Sequence, residues 1–301
     1  MNTLQFPDIT QRHIGRAIAM QAEQIGDQPF ILSGEDRFSF FEVNRRVNEL
    51  AAGLAARGLK AGERLAFYMD SGPEVIFIAL AANKLGAVWV PVNTDYKGAW
   101  LEDTVARSRP VILVTDVKHA GRLAEVRDKL PVQHILVQGG SAELADAEDL
   151  AAVYSQGASE PNMDEFDYGD TCAVLWTSGT TGRSKGVMQS HNVFFSAVLS
   201  GAVPFKATEG DVIYSVLPMY NTAAWVTNIF RALFCGLPLA LDPTFSVRHV
   251  WERMVFFRAS LTCSLGALHL VVWQGREGRG GAGGSRGELG GWGVPARVGG
   301  G

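Results

Sequence analysis

The stretch RLAFYMDSGPEVIFIALAANKLGAVWVPV, residues 64–92, decides the predicted fold of this chain. RLAFYM (64–69) is a short, mostly apolar run that predicts a buried strand. A helix is predicted next, because Pro73 suits a first helical turn and Gly86 is a natural stop. AVWVPV (87–92) predicts a second strand, so the stretch as a whole indicates a strand–helix–strand unit.

The same alternation continues on both sides of this unit. Upstream, FFEVNRRVNELAAGLAARG places its apolar residues on one helical face and ends at Gly58, a residue type that commonly terminates helices. Downstream, strands are predicted at VILVT (111–115) and HILV (134–137), and helices at residues 98–108 and 117–130. This alternation, with β-branched residues in the strands, predicts an α/β fold of parallel-rich sheets layered with helices.

Composition divides the chain into three parts, of which the first two are predicted to be folded. Residues 1–168 are assigned to a first α/β subdomain, which closes with an acidic surface connection from about 139 to 168 carrying one short helix near Leu150. Residues 169–274 begin a second α/β subdomain that carries the phosphate loop described below. Its predicted strands are CAVLWT and DVIYSVLP. One helix is predicted to begin near His191, and another to run from Ala223 to Phe234.

The third part, GREGRGGAGGSRGELGGWGVPARVGGG (275–301), differs in kind. It holds thirteen glycines in twenty-seven residues and almost no apolar side chain, so disorder is expected. Three interpretations stay open: out-of-frame translation of GC-rich DNA, which is favoured, a genuine flexible tail, or an RGG-type RNA-binding segment. The last is disfavoured, because four arginines, two glutamates and one aromatic residue, Trp292, offer little charge or stacking surface.

Charge and composition argue against several classes of function. With 27 basic and 31 acidic residues, the net charge of −4 gives no electrostatic reason to expect a nucleic-acid partner. Cys172, Cys235 and Cys263 are flanked by apolar residues and are expected to be buried, reduced thiols. No apolar stretch is long enough to span a membrane and the N-terminus lacks a secretory pattern, so a cytoplasmic protein is expected.

The stretch most informative about chemistry is LWTSGTTGRSKGVMQSHNVFF, residues 175–195. An apolar strand runs into a turn rich in hydroxyl and glycine residues that ends in a lysine. Glycine lets backbone N–H groups point into one concavity, hydroxyls add neutral donors, and lysine adds a compact positive charge. The pattern therefore predicts a mobile loop that holds phosphate oxygens.

Two alternatives to this interpretation are weaker. The stretch is not a Walker A loop, because Gly179 is followed by glycine at 182, and Lys185 is followed by Gly186 rather than by serine or threonine. The same difference disfavours a phosphotransferase built on such a loop. A glycine- and threonine-rich hairpin turn with an incidental lysine is the other alternative, but it leaves unexplained why every position suits one purpose.

The chain resembles the adenylate-forming, or AMP-binding, superfamily, whose signature phosphate loop is similar to TSGTTGRSKG. FSFFEVNRRVNELAAGLAARGLKAGERLAFYM resembles the family's opening helix and strand, and LGAVWVPVNTDYKGAWLEDTVARSRPVILVTD resembles its following segment. LPMYNTAAW (217–225) lies where the family carries an aromatic motif close to its substrate. The resemblance covers roughly residues 10–274, and NTDYKGAWLEDT is similar to the acyl-CoA synthetase branch that includes carnitine-CoA ligase-like enzymes.

The resemblance implies an AMP-forming acid–thiol ligase of the kind found in fatty acid metabolism. A small-molecule carboxylic acid attacks the α-phosphorus of ATP with Mg²⁺ to give an acyl-adenylate, and coenzyme A then displaces AMP. Tyr220 and Asn221 match the substrate- or adenylate-proximal position, where relatives commonly have an aromatic residue and histidine. The alternative is that Tyr220 is a packing residue. Asparagine at position 221, in place of the histidine of relatives, puts an acid–base role there in doubt. The residues implied to bind the ATP phosphates are Thr177, Ser178, Gly179, Thr180, Thr181, Gly182 and Lys185.

The resemblance also implies that the chain is C-terminally truncated, so that its fold is incomplete at that end. Relatives supply residues for adenine, Mg²⁺ and ribose, and a catalytic lysine on a small mobile domain, beyond the point where the resemblance stops. No complete catalytic set is therefore expected and the chain is expected to be inactive as it stands; a non-catalytic nucleotide-binding remnant is the alternative. The six histidines fit no catalytic or metal-ligating spacing, so no metal site is assigned, and the acid and the oligomeric state stay open.

Overall fold

A computed structural model gives the three-dimensional structure of the chain. Its strands form two mixed sheets, with helices on both faces of each sheet. The α/β class predicted from the sequence is therefore confirmed. The residues that the structure describes are 1–6, 8–140, 144, 146–177, 184–199, 207–243, 246, 248–263 and 295–297.

The elements are numbered in chain order. The strands are β1 (Pro29–Ser33), β2 (Asp36–Ser39), β3 (Arg64–Tyr68), β4 (Val88–Pro91), β5 (Ile112–Asp116), β6 (His134–Gln138), β7 (Ala147–Asp149), β8 (Thr171–Thr177), β9 (Lys185–Ser190), β10 (Ile213–Ser215), β11 (Leu239–Leu241), β12 (Leu261–Cys263) and β13 (Pro295–Arg297). The helices are α1 (Ile14–Ile25), α2 (Phe40–Ala56), α3 (Pro73–Lys84), α4 (Gly98–Ser108), α5 (Val117–Ala124), α6 (His191–Leu199), α7 (Phe230–Cys235) and α8 (Val250–Phe256). A π-helical segment, Ala224–Ile229, leads into α7, and 3-10 turns occupy Ile9–Gln11, Arg127–Lys129 and Leu150–Val153.

Both sheets are parallel in their centres; among the described strands, the first sheet is antiparallel at one end and the second at both ends. Within the described residues the first sheet has the order β7–β6–β5–β3–β4–β8–β9, and β8 with β9 is its one antiparallel pair. The second has the order β13–β12–β10–β11–β1–β2, again over the described part of the chain, with antiparallel pairs at β12–β13 and β1–β2. The parallel centres follow from the strand–helix–strand units that the sequence predicted.

The two sheets share one apolar layer. Leu65, Phe67 and Trp89 of the first sheet, and Leu239 and Leu241 of the second, belong to one buried cluster with side chains of α1, α2, α3, α6 and α7. The opposite face of the first sheet packs on α4 and α5, and the opposite face of the second packs on α8. Because both faces of the central strands are buried, these strands are apolar at nearly every position rather than alternating.

Helix α2 shows how the local sequence sets one element of this layer. The Glu42 N–H donates to the Ser39 hydroxyl at 3.1 Å, and the Ser39 N–H donates to the Glu42 carboxylate at 2.8 Å. This reciprocal cap satisfies two donors that the first helical turn would leave unpaired. The apolar face predicted from the sequence is completely buried, and consists of Val43, Val47, Leu50 and Leu54.

Some predicted bounds differ from the structure. Helix α5 ends at Ala124 rather than near Leu130, and the 3-10 turn Arg127–Lys129 follows it. Pro131 explains the early end, because a residue before proline disfavours the helical region, and Leu130 is indeed extended with φ −91° and ψ 123°. The helix predicted from Ala223 to Phe234 divides into the π-helical segment and α7.

Other predicted elements are found in shorter form, and several have no predicted counterpart. The short helix expected near Leu150 is a 3-10 turn, and the helix expected near His191 is α6, which begins there. The strand expected at DVIYSVLP is limited to the three residues of β10. The elements α1, β1, β2, β7, β9, β11, α8 and β12 were not predicted; the strands among them are three to six residues long, too short for a clear periodic signal.

The boundary predicted at residue 168 does not coincide with the division into sheets. Strands β8 and β9 follow it in sequence but pair into the first sheet beside β4. Strands β1 and β2 precede it but extend the second sheet through β11. Of the predicted tail, residues 275–301, the structure describes Pro295–Arg297, which pair with β12; the rest of the tail lies outside the described residues.

A buried cation ties the connection between residues 139 and 168 to the helical layer. The side chain of Lys84 is fully buried, and its ammonium group donates to Asn44, Asn48 and Glu160. Burial lowers the pKa of Lys84 to about 8, and the Glu160 carboxylate opposes that shift. A segment that composition alone assigns to the surface is therefore anchored by an ion pair between the buried Lys84 and the exposed Glu160.

The remaining expectations on cysteines and membrane spans can be compared directly. Cys172, Cys235 and Cys263 are all buried free thiols, and burial raises the pKa of each. Across the described ranges, no helix has both the length and the hydropathy needed to cross a membrane.

Two histidines meet between α1 and α6. The ring centroids of His13 and His191 are 3.8 Å apart, and both side chains are buried. The Ile14 N–H donates to Nδ1 of His191 at 3.2 Å, whereas within the described residues neither ring nitrogen of His13 has a hydrogen-bond partner. Burial, reinforced by the positive charges of Arg16 and Lys84, lowers the pKa of His13 to about 3. Burial, His13 and Arg16 hold the pKa of His191 well below its usual range.

This pair predicts that acid destabilises the fold. Both folded-state pKa values lie below the unfolded value of about 6.5, so stability is full above that pH and falls as pH drops towards the folded values. We expect the free energy of unfolding to fall by about 2 kcal/mol per buried histidine between about pH 7.5 and about pH 5. Urea denaturation at both pH values measures it. Between these two pH values the free energy of unfolding should fall less in His13→Phe than in the wild type. In the exposed-site control His249→Asn it should fall as much as in the wild type; equal losses in all three proteins would contradict the prediction.

A second prediction concerns Gly53 in α2. Alanine normally stabilises a helix relative to glycine by about 1 kcal/mol. A Cβ at Gly53, however, would lie 1.7 Å from the carbonyl oxygen of Val153, which is backbone and cannot move aside. Gly53→Ala should therefore lower the free energy of unfolding by about 2 kcal/mol or more. Chemical denaturation tests this, with the exposed Ala55→Gly in the same helix as the control for propensity alone; a stabilised Gly53→Ala protein would refute the close contact.

Candidate functional site

The predicted phosphate loop connects the two strands of an antiparallel hairpin. Thr177 at the end of β8 pairs with Lys185 at the start of β9, and the Thr177 hydroxyl donates to the Lys185 carbonyl at 3.3 Å. Both residues are exposed. The other residues predicted to bind phosphates lie outside the described residues; they are Ser178, Gly179, Thr180, Thr181 and Gly182.

The hairpin is placed by the pairing of β8 with β4. These strands are parallel, with Trp89 opposite Ala173, so Thr177 lies at the carboxyl edge of the sheet. The loops after β3 and β4 leave from the same edge, which is where ligands commonly bind in parallel sheets. Gly186 lets the two hairpin strands approach, because a Cβ there would lie 2.9 Å from a side-chain carbon of Val174. The third glycine of the motif, Gly186, therefore has a packing reason.

The base of the loop is held from outside the hairpin. Ser184, which directly precedes β9, accepts a hydrogen bond from the Arg107 guanidinium at its carbonyl oxygen, at 2.9 Å. Its hydroxyl lies 3.2 Å from the Tyr96 hydroxyl. Sequence reasoning identified neither Tyr96 nor Arg107, because nothing in α4 or the turn before it signals a contact with a hairpin almost eighty residues later.

The second predicted position, Tyr220 and Asn221, follows β10 at the carboxyl edge of the other sheet. Tyr220 is half-buried, and burial raises the pKa of its hydroxyl, with Asp95 and Tyr96 adding to the shift. The side-chain oxygen of Asn221 accepts from the Ala223 N–H at 3.0 Å, so it caps the helical segment that begins there.

Tyr220 lines a cleft of about 430 Å³ between the carboxyl edges of the two sheets. The cleft is bounded by residues 69–71 after β3, 94–95 after β4, 216–218 after β10 and 242–243 after β11. Helix α5 contributes Lys118, His119 and Arg122. Tyr96, whose hydroxyl meets that of Ser184 at the base of the predicted phosphate loop, directly follows Asp95 of this lining. The turn after β4 therefore approaches both predicted positions.

A polar cluster forms part of this cleft. Asp116 accepts from the Asp70 N–H at 2.8 Å, from the His119 N–H at 2.9 Å and from His119 Nδ1 at 2.7 Å. These contacts set the His119 tautomer, with Nδ1 protonated and Nε2 3.7 Å from the Asp70 carboxylate. The Lys118 ammonium lies 2.6 Å from Asp70. Sequence reasoning treated His119 as structural or surface, although its spacing from Asp116 at the end of a strand was a usable signal.

The residue types in this cluster could suit a metal, but their contacts do not suit Mg²⁺. Ligand atoms of Asp70, Asp116 and His119 lie within 4.8 Å of one another. Mg²⁺ requires oxygen ligands in near-octahedral geometry. Here the carboxylate oxygens are already engaged by backbone N–H groups, the imidazole and the ammonium of Lys118. The cluster therefore organises the cleft through hydrogen bonds and an ion pair.

A larger cleft lies elsewhere, on the α2 and α3 side of the first sheet. Its volume is about 810 Å³, and it is lined by Arg45, Arg46, Glu49, Glu74 and Tyr154 among others. Burial raises the pKa of Glu74, whose carboxylate accepts a hydrogen bond from the Tyr154 hydroxyl. Of the residues predicted from the sequence to bind nucleotide or acid, none that the structure describes lines it, so size alone does not make it the site.

Comparison with known proteins agrees with this geometry. Residues 18–278 match the AMP-binding family, described as AMP-binding enzyme. The crotonobetaine/carnitine–CoA ligase of Salmonella enteritidis PT4 is 30% identical over 237 residues, which cover 75% of this chain and 44% of that ligase. The chain thus spans less than half the length of the curated relatives that it matches.

Solved structures have the same fold. The inhibitor-bound N-terminal domain of FACL13 from Mycobacterium tuberculosis superposes with a TM-score of 0.77 at 24% identity, over 87% of this chain and 65% of that one. ATP-bound MatB from Rhodopseudomonas palustris superposes with a TM-score of 0.69 at 29% identity, over 82% of this chain and 48% of that one. The fold is the N-terminal domain of the adenylate-forming enzymes, and the match over most of its residues shows that this chain belongs to the AMP-binding enzyme family.

Proposed function

We propose that this chain provides the ATP- and acid-binding part of an AMP-forming acid–thiol ligase of the acyl-CoA synthetase type. The observation that carries the proposal is the position of the hairpin. Thr177 and Lys185, which flank the predicted phosphate loop, lie at the carboxyl edge of the first sheet, and the adjacent Ser184 meets Tyr96, which directly follows Asp95 of the cleft that Tyr220 lines. The named activities of the relatives, crotonobetaine/carnitine–CoA ligase among them, give the class of reaction.

The proposed reaction has two group-transfer steps. In the first, a carboxylate oxygen of the acid attacks the α-phosphorus of ATP, and the bond from that phosphorus to the bridging oxygen breaks to release pyrophosphate. In the second, the thiol sulfur of coenzyme A attacks the acyl carbon, the thiol loses its proton, and AMP leaves. Mg²⁺, when bound with ATP, neutralises part of the phosphate charge.

The residues of this chain serve the first step. Negative charge grows on the departing pyrophosphate, so a fixed cation and donors near it stabilise the transition state. The exposed ammonium of Lys185 and the hydroxyl of Thr177 flank the loop. Within the described residues neither side chain has a charged partner, so both can reach a polyphosphate without first breaking an ion pair. The sequence-predicted residues Ser178, Gly179, Thr180, Thr181 and Gly182 would supply further hydroxyl and backbone donors.

Tyr220 is proposed to face the acid or its adenylate. It is half-buried in a cleft whose volume, about 430 Å³, suits a small organic acid. Asn221 is proposed to act indirectly, because its side-chain oxygen caps the following helical segment and so holds Tyr220 in place. An acid–base role for Asn221 has no support, since an amide does not titrate in the physiological range.

The test is binding of Mg-ATP to the 301-residue chain by calorimetry. Lys185→Ala should weaken binding about tenfold or more, because a charge-assisted contact to phosphate is lost. Lys129→Ala is the matched control, since Lys129 is also exposed but pairs with Glu102 away from the hairpin. Unchanged affinity in Lys185→Ala, or an equal loss in both variants, would contradict the phosphate loop.

A second measurement separates the ligase from the alternative of a nucleotide-binding unit without chemistry. Acid-dependent exchange of pyrophosphate into ATP reports the first chemical step directly. We expect ATP binding without exchange from these 301 residues, since the sequence predicts no complete catalytic set in them. Exchange that is lost in Lys185→Ala would contradict that expectation and the alternative together, and would support acid activation by this chain itself.

A further inference from the structure

Ser184 is held on two sides although it belongs to the turn of a hairpin. Its carbonyl oxygen accepts from the Arg107 guanidinium at 2.9 Å, and its hydroxyl lies 3.2 Å from that of Tyr96. Ser184 is buried, whereas the neighbouring Lys185 is exposed. Ser184 is therefore fixed by its contacts, whereas Lys185, the next residue, is exposed and can meet a ligand.

Arg107 contacts both strands of the hairpin. Besides its hydrogen bond to Ser184, its guanidinium carbon lies 4.7 Å from the ring centroid of Trp176 in β8. The Trp176 indole N–H in turn donates to the Ser108 hydroxyl at 3.3 Å. The carboxylate of Asp103, one helical turn earlier, lies 3.2 Å from the Arg107 guanidinium and orients it. The last turn of α4 thus holds β8 and the start of β9 at once.

These contacts suit positioning. Nη1 of Arg107 donates both to the Asp103 carboxylate and to the Ser184 carbonyl, and the guanidinium carbon lies over the Trp176 ring, so protein contacts set the orientation of the group. A planar guanidinium stacked on an aromatic ring keeps its geometry better than a flexible ammonium would. Fixing a binding segment before the ligand arrives lowers the entropy lost on binding, which raises affinity without any new ligand contact.

We propose that Tyr96 and Arg107 are positioning residues that hold Ser184, and thereby set the placement of Lys185 and the base of the phosphate loop for ATP. The proposal rests on the proposed function, because it assumes that Lys185 meets the phosphates. It goes further in assigning a role to two residues outside the hairpin, from α4 and the turn that precedes it. Neither touches ATP; both act through Ser184.

The first test does not need nucleotide. Amide hydrogen exchange is measured by mass spectrometry on the ligand-free chain, comparing peptides that span Thr177 to Gly186 with peptides elsewhere. Tyr96→Phe and Arg107→Gln should raise exchange in the hairpin peptides about two- to tenfold and leave the other peptides unchanged. Arg57→Gln is the matched control: Arg57 also lies at the end of a helix and pairs with a carboxylate, Glu148, but does not contact the hairpin.

The second test asks whether Tyr96 and Ser184 act through the same hydrogen bond. Tyr96→Phe and Ser184→Ala each remove one partner of the same contact, so Mg-ATP affinity should fall about two- to tenfold in either variant and no further in the double variant. If the two hydroxyls acted independently of each other, the two effects would add. Arg107→Lys keeps the charge but not the planar group, so it should recover only part of the affinity lost in Arg107→Gln.

The outcomes separate this proposal from the proposed function. Hairpin exchange that matches the wild type in Tyr96→Phe and Arg107→Gln, or that rises no more than in Arg57→Gln, overturns the positioning role even if ATP binds. Additive losses of affinity in the double variant also overturn it. If the wild-type chain binds no ATP, the proposed function fails, and the exchange measurement alone decides whether Tyr96 and Arg107 hold Ser184.

Discussion

The packing of Trp225 against Trp89 is the contact on which the arrangement of the site depends. Their ring centroids are 4.3 Å apart in the layer between the sheets, and both side chains are fully buried. Trp89 belongs to β4, beside which β8 carries the hairpin. The indole N–H of Trp225 donates to the carbonyl of Met219 at 2.7 Å, and Met219 directly precedes Tyr220. One apolar contact, between β4 and the π-helical segment Ala224–Ile229, therefore relates the hairpin to the cleft.

A buried amide makes this packing specific. Asn83 is fully buried in α3; its side chain donates to the Cys172 carbonyl of β8 at 3.1 Å and accepts from the Trp89 indole at 3.2 Å. Apolar surfaces tolerate sliding, whereas a buried amide leaves unsatisfied groups if either strand shifts. Asn83 thus favours the register in which Trp89 lies opposite Ala173. The position of Thr177, four residues further along β8, follows from that register.

The cleft exists because both sheets are parallel in their centres. Loops at the carboxyl ends of parallel strands leave from one edge, and two such edges meet where residues after β3, β4, β10 and β11 approach one another. The polar side chains there are already paired: Asp116 with His119, Asp70 with Lys118, and Asp242 with Arg253. Pre-paired charges keep the cleft ordered and leave Tyr220, which carries no charge at neutral pH, as a neutral donor within it.

Much of the fold and part of the site are determined by the sequence itself. The repeated strand–helix–strand pattern predicts α/β layers, and the bounds of α4 are recovered in full, because periodicity and stop residues are local signals. The hydroxyl- and glycine-rich run from Thr177 to Lys185 likewise predicts a phosphate loop by local chemistry. Short strands such as β9 and β11 give no such signal, since they form only by pairing with distant strands.

Tertiary structure alone decides which distant residues meet. No local pattern connects Tyr96 or Arg107 to Ser184, assigns β8 to the sheet of β3 and β4, or pairs His13 with His191. These contacts arise because apolar layers must close over one another, and the polar groups carried along then satisfy whatever partners the packing provides. The local sequence thus names the chemistry of the loop, and the packing of the two sheets determines where that loop lies and what holds it.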